Sequence, residues 1–316
     1  MSFQSVAGQS TAVAMLRADL TQQRLPSAYL FAGPDGVGKR LLAIELAKAL
    51  NCDAGGHDGC DRCPTCLKIA HRNHPDVWWL EPSTPHERLK IERVRELLPH
   101  IGMRPFEGRH QLLIIAGAEQ LTEEAANALL KTLEEPARDT LFVLTSSHRA
   151  ACLPTIVSRC RLIPCMRLSE SLIVERLTGE HGVDPAAAVA LARWSDGSLG
   201  RALERHQADW WERQQELRQM MHQGEWQALA NELPPGDAGR PWAQETLELL
   251  IWTYRQQALE YSSAGDAENA SAMAGRTERL LRLLDDLNHY ANTKLVWALA
   301  LDYLQEMEGA RPLRAA

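Results

Sequence analysis

Residues 28–40 read AYLFAGPDGVGKR, which is a short apolar run, a glycine-rich turn and a lysine. Periodic apolar residues continue over residues 39–50, so the pattern predicts a strand, a loop and a helix. A P-loop has this setting, because its backbone N–H groups and the start of the helix can surround a phosphate. The candidate phosphate-binding residues are Gly33, Gly36, Gly38 and Lys39.

Outward from this loop, short apolar runs alternate with helical patterns through the first half of the chain. Further strands are predicted at residues 76–81, 111–117, 140–145 and 161–165. Helical patterns lie between them, at residues 91–98 and 123–135. Strands that alternate with helices imply a parallel sheet with both faces covered. The sequence therefore predicts an α/β domain around a parallel five-stranded sheet.

Only helical patterns follow this domain. Six of the nine tryptophans lie beyond residue 205, and we interpret them as residues of a core and of interfaces. The predicted fold class is α/β followed by all-α. Its three predicted parts are residues 1–167, a small helical lid at 168–205 and a longer helical domain at 206–316.

Composition and charge exclude several classes of protein. The 316 residues are 45% hydrophobic and 24% charged, as in ordinary globular proteins. The net charge is −7, of which residues 205–316 contribute −6 with 11 basic and 17 acidic side chains. A basic nucleic-acid-binding domain has the opposite balance. No apolar run suits a membrane helix and no signal peptide is evident, so we expect a cytoplasmic protein without membrane contact.

Four cysteines form a compact cluster with the spacing Cys52-x7-Cys60-x2-Cys63-x2-Cys66. Four thiolates can close a tetrahedral shell around Zn²⁺ and leave no position for water, which indicates a structural site. The segment 52–66 is rich in glycine and aspartate, so metal binding would supply its folding energy. An iron–sulfur cluster is the main alternative, although the Cys-Pro that usually follows is missing.

The phosphate loop lacks the parts that ATP hydrolysis requires. A P-loop has Ser or Thr after its lysine to hold Mg²⁺, and here that residue is Arg40. The predicted strand at 111–117 ends in Ala116-Gly117, where a Mg²⁺-binding carboxylate is expected, and Glu119 follows on a predicted loop. We therefore expect no ATPase activity from this chain. The loop is interpreted either as a site that still binds a phosphate group or as a glycine-rich turn that has kept only the shape of such a site.

Two further motifs carry a resemblance to a known family. Residues 127–136 (NALLKTLEEP), followed by Ser158-Arg159-Cys160 and a helical C-terminal part, resemble the bacterial clamp-loader AAA+ subunits. Gly8-Gln9 and the cysteine cluster fit this resemblance, which covers the first 205 residues well. It implies an AAA+ P-loop domain, a helical lid, and a helical collar that assembles with other subunits.

Within that family, the chain resembles the delta-prime branch more than the motor branch. The gamma and tau motors keep GKT, an Asp-Glu pair and a sensor arginine. Here Arg40, Ala116-Gly117 and Gly200 stand at those positions, although Arg201 is adjacent to the last. The resemblance implies a stator of the clamp loader within a DNA-directed DNA polymerase, the replicative polymerase III. The implied partners are gamma/tau motors, a delta subunit, the sliding clamp, and primed DNA through the assembled complex.

The resemblance also implies a role for Arg159. In the family, the arginine of this motif projects into the ATP site of a neighbouring motor subunit. A guanidinium suits that role because it stays charged and has a planar, forked set of donors. Without the family, the residues alone favour a different interpretation, an arginine that offsets the dipole at the end of a helix.

Two other functions fit parts of the sequence. One is an active motor subunit of the same family, which would hydrolyse ATP in the presence of Mg²⁺. The other is a zinc-dependent nucleic-acid-binding module, whose DNA affinity would be lost on chelation and weakened strongly by salt.

Overall fold

The computed structural model describes residues 2–84, 87–101, 103–207, 210–223, 226–289 and 291–308. The chain divides into two units, Met1–Glu204 and Arg205–Ala316. The first unit contains the phosphate loop, the cysteine cluster and Arg159, and the second contains only helices among its described residues.

The five predicted strands form one parallel sheet in the first unit. They are β1 (Ala28–Ala32), β2 (Val77–Leu80), β3 (Gln111–Ala116), β4 (Thr140–Ser146) and β5 (Arg161–Pro164). Their order across the sheet is β2-β3-β4-β1-β5, with β1 paired to both β4 and β5. The predicted fold class is thereby confirmed. The loop after β1 begins at the carboxyl edge of the sheet, beside the end of β4.

Nine α-helices accompany this sheet in the described residues. They are α1 (Ser10–Thr21), α2 (Lys39–Asn51), α3 (Pro64–Ala70), α4 (Ile91–Ile101), α5 (Glu123–Glu134), α6 (Pro154–Val157), α7 (Glu170–His181), α8 (Pro185–Trp194) and α9 (Leu199–Gln207). The N-terminus of α5 is capped by Thr122, whose hydroxyl accepts a hydrogen bond from the Ala125 N–H at 3.3 Å. Helices α1 and α3 were not predicted from the sequence.

Apolar side chains cover both faces of the sheet. Successive residues of a strand point to opposite faces, so Phe31 and Leu30 of β1 belong to different cores. Phe31 packs in a cluster with Leu46 of α2, and Leu30 packs in another with Leu129 of α5. This double covering explains why the strands are almost uninterrupted apolar runs in the sequence.

The turn that leads into β3 is held by a buried carboxylate. Asp76 is 1% exposed, and it accepts hydrogen bonds from the backbone N–H groups of Phe106, Glu107 and Gly108 at 2.6–2.9 Å. Burial opposes the charged form, but these three donors outweigh it and hold the pKa of Asp76 below its usual value. The anchor fixes the chain at the amino end of β3.

The second unit is a set of five described helices. They are α10 (Trp210–Gln223), α11 (Trp226–Glu232), α12 (Gly239–Ser263), α13 (Ala267–Asn288) and α14 (Thr293–Glu308). Its tryptophans pack edge to face, with ring centroids 5.2 Å apart for Trp210 and Trp252 and 5.1 Å apart for Trp242 and Trp297. Across the described ranges, no helix has the length and apolar character that a membrane crossing requires.

Replacing Asp76 with Asn tests the carboxylate anchor. The amide offers one acceptor oxygen instead of two, so we expect the free energy of unfolding at pH 7 to fall by about 2–3 kcal/mol. A carboxyl group with a lowered pKa stabilises the fold above its unfolded pKa of about 3.9, and this contribution is lost as the pH falls through the folded pKa. Urea denaturation should therefore show the two proteins converging below about pH 4.

The control for this substitution is Asp184→Asn. Asp184 caps α8 by accepting hydrogen bonds from the N–H groups of Ala186 and Ala187. Asn serves nearly as well as Asp at such a position, so we expect little change. Equal stability of the Asp76→Asn protein and the wild type at pH 7 would contradict the claim that the Asp76 carboxylate stabilises this turn.

Candidate functional site

A cleft of about 720 Å³ lies at the carboxyl ends of β1, β3 and β4. Its walls include Gly36, Gly38 and Lys39 from the loop after β1, and Ala116 and Thr145 from the ends of β3 and β4. Open parallel sheets bind their ligands at this edge. The structure thus brings three of the four predicted phosphate-loop residues to one cleft.

The glycines of this loop have different tasks. Gly36 and Gly38 have φ values of +71° and +103°, which glycine adopts without the strain that a side chain would bring. Gly38 is also the N-cap of α2. Gly33 packs behind the loop, because a Cβ there would lie 2.0 Å from the carbonyl oxygen of Cys165. Gly33 therefore serves the contact with the end of β5 and not the lining of the cleft.

The ammonium of Lys39 is directed back into its own loop. Its Nζ donates to the carbonyl oxygens of Gly33 and Pro34, both at 2.6 Å, and lies 3.4 Å from Oδ1 of Asp35. An ammonium has three donors, and these three acceptors account for all of them. Burial lowers the pKa of Lys39, which is only 7% exposed. The Lys39 ammonium is thus paired with oxygens of its own loop.

The residues expected to hold Mg²⁺ are absent from their places in the cleft. Arg40 occupies the position of the metal-binding hydroxyl, and its guanidinium lies 3.7 Å from the carboxylate of Glu81. Ala116 and Gly117 line the cleft at the end of β3, where neither offers an oxygen on a side chain. This wall of the cleft therefore provides neither the hydroxyl nor the carboxylate of a hydrolytic P-loop.

Glu119, which was predicted to lie on the loop after β3, is a wall residue of the cleft. It lies on a short 3₁₀ helix, Ala118–Gln120, and accepts hydrogen bonds from the Ser147 N–H at 3.0 Å and the Ser147 hydroxyl at 2.5 Å. Burial opposes its charge, but these bonds prevail and lower its pKa. The ionised carboxylate links the ends of β3 and β4. Its place as the first carboxylate after β3 was the one available signal.

The start of α9 lies directly on the phosphate loop. The Gly200 N–H donates to the Gly36 carbonyl at 2.9 Å, and a Cβ on Gly200 would lie 2.8 Å from the Gly36 Cα. A Cβ on Gly36 would lie 2.2 Å from the Ser198 hydroxyl oxygen. The adjacent Arg201 lines the cleft and has its guanidinium carbon 4.7 Å from the ring centroid of Trp194. Gly200 thus allows the two backbones to touch.

The four clustered cysteines form a site that could hold a metal ion such as zinc. The Sγ atoms of Cys52, Cys60, Cys63 and Cys66 all lie within 4.8 Å of one another. Tetrahedral zinc, with Zn–S bonds of about 2.3 Å, separates its sulfurs by about 3.8 Å, so small movements would close the shell. Backbone N–H groups of Arg62 and Cys63 donate to the Cys60 sulfur and lower its pKa to about 6, whereas burial raises the pKa of Cys63 and Cys66.

The cysteine segment is fixed to the body of the first unit by charged side chains. Asp58 accepts hydrogen bonds from the Phe3 N–H and from Arg17 Nη2, each at 3.0 Å. The Nζ of Lys48, on α2, donates to Asp61 Oδ1 at 2.7 Å. The segment therefore holds the amino-terminal residues as well as its own loop.

Arg159 follows α6 and lies outside the cleft lining. Its Nε donates to Glu134 Oε1 at 2.7 Å, and its Nη1 donates to the Thr155 carbonyl at 3.0 Å. The bond to Thr155 is the helix-end contact that the alternative interpretation predicts. The side chain is nonetheless 33% exposed. The structure therefore places this guanidinium at the surface, away from the chain's own phosphate loop.

The fold and this cleft define the class of protein. A five-stranded parallel sheet with a glycine-rich loop after β1, followed by helices that contact the loop, is an AAA+-type P-loop architecture. A DNA polymerase III gamma subunit-related protein from Thermotoga maritima has the same fold, with a TM-score of 0.54 at 16% identity. The alignment covers 94% of this chain and 99% of that protein.

Comparison of sequences identifies the family. The family described as "DNA polymerase III, delta subunit" matches residues 8–169, just over half of the chain. The chain belongs to this family, which confirms the resemblance to clamp-loader AAA+ subunits.

Several curated proteins are similar to the chain. It is 36% identical over 197 residues to the DNA polymerase III subunit delta' of Bacillus subtilis, covering 62% of this chain and 58% of that protein. It is 34% identical over 211 residues to subunit delta' of Escherichia coli, covering 66% and 61%. Subunit tau of Escherichia coli is 34% identical over 208 residues, covering 64% and 32%. The chain thus spans about one third to three fifths of the length of these relatives.

Substitution of Gly200 tests the contact between α9 and the phosphate loop. An alanine Cβ would meet the Gly36 backbone at 2.8 Å, so we expect Gly200→Ala to destabilise the protein by about 1–3 kcal/mol in urea denaturation. Gly179→Ala in α7 is the matched control, since nothing lies within 4 Å of its added Cβ. In that variant, the higher helix propensity of alanine should raise the free energy of unfolding by up to about 1 kcal/mol. Equal responses of the two variants would contradict the contact.

Substitution of Cys63 tests the metal site. Cys63 is also the N-cap of α3, a position at which Ser is a good residue, so Cys63→Ser isolates the loss of the metal ligand. We expect the zinc content, measured by inductively coupled plasma mass spectrometry, to fall from about one ion per chain to near zero. If the free energy of unfolding falls by about 2 kcal/mol when the metal is lost, Tm should fall by roughly 4–8 °C.

The control for the metal site is Cys160→Ser, outside the cluster, which should retain the zinc. Unchanged metal content and Tm in Cys63→Ser would contradict the assignment. Iron together with visible absorbance in the wild type would favour the iron–sulfur alternative.

Proposed function

We propose that this chain is a delta-prime-type subunit of a bacterial clamp loader and that it hydrolyses no ATP itself. The observation that carries the proposal is the state of the phosphate loop. Arg40 stands where a metal-binding hydroxyl is required, and Ala116 and Gly117 stand at the end of β3, where a Mg²⁺-binding carboxylate is required. The family of the chain and its similarity to proteins named subunit delta' support a clamp-loader subunit of the delta-prime type.

The proposed contribution of the chain to catalysis is Arg159, acting on ATP held by a neighbouring motor subunit. Its exposure and its position outside the chain's own cleft support action in trans. A guanidinium stays charged and can stabilise the transferring phosphoryl group at more than one oxygen. Such a residue increases the rate by roughly 10³–10⁵ where it has been studied.

The proposed partners are gamma/tau motor subunits, a delta subunit and the sliding clamp, with primed DNA bound through the assembled complex. We propose residues 168–205 as the lid and residues 206–316 as the collar that contacts the other subunits. The acidic balance of the C-terminal residues supports contact with proteins over direct contact with DNA. In this proposal zinc is structural, held by the four cysteines of the 52–66 segment, and the compartment is the cytoplasm.

The decisive experiment measures ATP hydrolysis by the chain assembled with its motor and delta subunits, with clamp and primed DNA added. We expect Arg159→Ala to lower the rate roughly tenfold or more, because the neighbouring ATP site loses its positive charge in the transition state. Size-exclusion chromatography must first show that the variant assembles like the wild type.

The matched control for Arg159 is Arg149→Ala, an exposed arginine on the 3₁₀ helix Arg149–Ala151, which should leave the rate unchanged. An unchanged rate in Arg159→Ala would contradict the trans role. Mg²⁺-dependent hydrolysis by the isolated chain would instead support the motor-subunit alternative. DNA binding by the isolated chain that is lost on chelation would support the nucleic-acid-binding alternative.

A further inference from the structure

We infer that Glu134 is the positioning residue of Arg159, and this inference rests on the proposed trans role of that arginine. The two motifs that carried the family resemblance, residues 127–136 and 158–160, meet in the ion pair between these side chains. Glu134 and Arg159 are 25 residues apart in the chain, so only the fold brings the two motifs into contact.

The guanidinium of Arg159 is held on two edges. Its Nε donates to Glu134 Oε1 at 2.7 Å, and Nη2 pairs with the same oxygen. On the other edge, Nη1 donates to the Thr155 carbonyl at 3.0 Å and lies 3.4 Å from the Ser158 hydroxyl. Contacts on both edges fix the plane of the group, while one third of the side chain stays exposed. The charge is therefore oriented and still accessible from outside.

Helix stability does not account for a glutamate at this position. Glu134 is the last residue of α5, where the negative end of the helix dipole disfavours a carboxylate. An ion pair between half-exposed side chains adds little to stability. What the carboxylate does provide is a single orientation for a long side chain that otherwise samples many rotamers.

The adjacent Glu135 makes a clean comparison. It has the same charge, it is exposed, and it lies at the same helix end, as the C-cap of α5. The ion pair of Arg159 is nevertheless made with Glu134. Removing either carboxylate changes the local charge equally, so only the contact with Arg159 distinguishes them.

An oriented guanidinium loses less freedom when it meets a phosphate, so removing Glu134 should slow the chemical step. We expect Glu134→Ala to lower kcat for ATP roughly three- to tenfold, with KM within about twofold, because the neighbouring subunit itself binds the nucleotide. Both bonds from Arg159 fall on one oxygen, Oε1, which a glutamine amide also has. Glu134→Gln should therefore retain most of the wild-type rate.

The experiment compares Glu134→Ala, Glu134→Gln, Glu135→Ala, Arg159→Ala and the double variant Glu134→Ala/Arg159→Ala in the assembled complex with clamp and primed DNA. Assembly is checked first, and kcat and KM for ATP are then measured. Glu135→Ala should match the wild type. The double variant should be no slower than Arg159→Ala alone, since Glu134 acts only through Arg159.

The outcomes separate this inference from the function on which it rests. A wild-type rate in Arg159→Ala overturns the proposed trans role and the inference with it. A loss in Arg159→Ala with a wild-type rate in Glu134→Ala overturns the inference alone. A rate above wild type in Glu134→Ala means that Glu134 restrains the arginine. A loss of rate that Glu135→Ala shares means a general effect at the helix end. A loss that adds to that of Arg159→Ala has the same meaning. Each of these results also overturns the inference.

Discussion

The parallel pairing of β1 with β4 and β5 is the constraint on which the cleft depends. At the edge of the sheet the Gly33 N–H donates to the Ser146 carbonyl at 3.1 Å, and the Cys165 N–H donates to the Ala32 carbonyl at 2.8 Å. These bonds fix where β1 ends and where its loop begins. Parallel strands bring their carboxyl ends to one edge, so residues distant in the sequence surround that loop.

The cleft has a glycine-rich loop and a lysine, but Arg40 and Ala116-Gly117 stand at the positions where a P-loop ATPase holds Mg²⁺. The Lys39 ammonium is paired with carbonyls of its own loop, and the carboxylate of Glu119 is paired with Ser147. Gly200 lets α9 approach the backbone of Gly36 so closely that a side chain would not fit between them. A sensor arginine at this position would require space that the contact between the backbones has removed. The loss of residues for hydrolysis and the close attachment of α9 are thus consistent with one another.

Arg159 and the cysteine segment lie outside the lining of the cleft. The exposed guanidinium of Arg159 is held by a carboxylate at the end of α5, and α5 packs against the same sheet that forms the cleft. The cysteine segment lies between α2 and β2 in the sequence and is fixed through Asp58 to the amino-terminal residues. Arg159 is thus attached to α5, and the cysteine segment is attached to the amino-terminal residues and to α2.

Much of the fold was available from local pattern. The apolar runs predicted all five strands, and their alternation with helices predicted the parallel sheet, because a parallel crossover needs a helix between its strands. Helix α3 was missed since it has seven residues and no apolar periodicity, and α1 was also not predicted. The NALLKTLEEP and SRC motifs predicted the family that the comparison then confirmed.

The sequence by itself determined which chemical groups the protein lacks and which it has. Arg40 cannot ligate a cation, and the spacing Cys52-x7-Cys60-x2-Cys63-x2-Cys66 predicted a metal site of four thiols. Only the tertiary structure decided which distant groups meet, including the pairing of Arg159 with Glu134. A spacing along the chain specifies contacts within a few residues. The contact of Gly36 with Gly200 joins residues far apart in the sequence, and such contacts exist only after the sheet has brought their elements together.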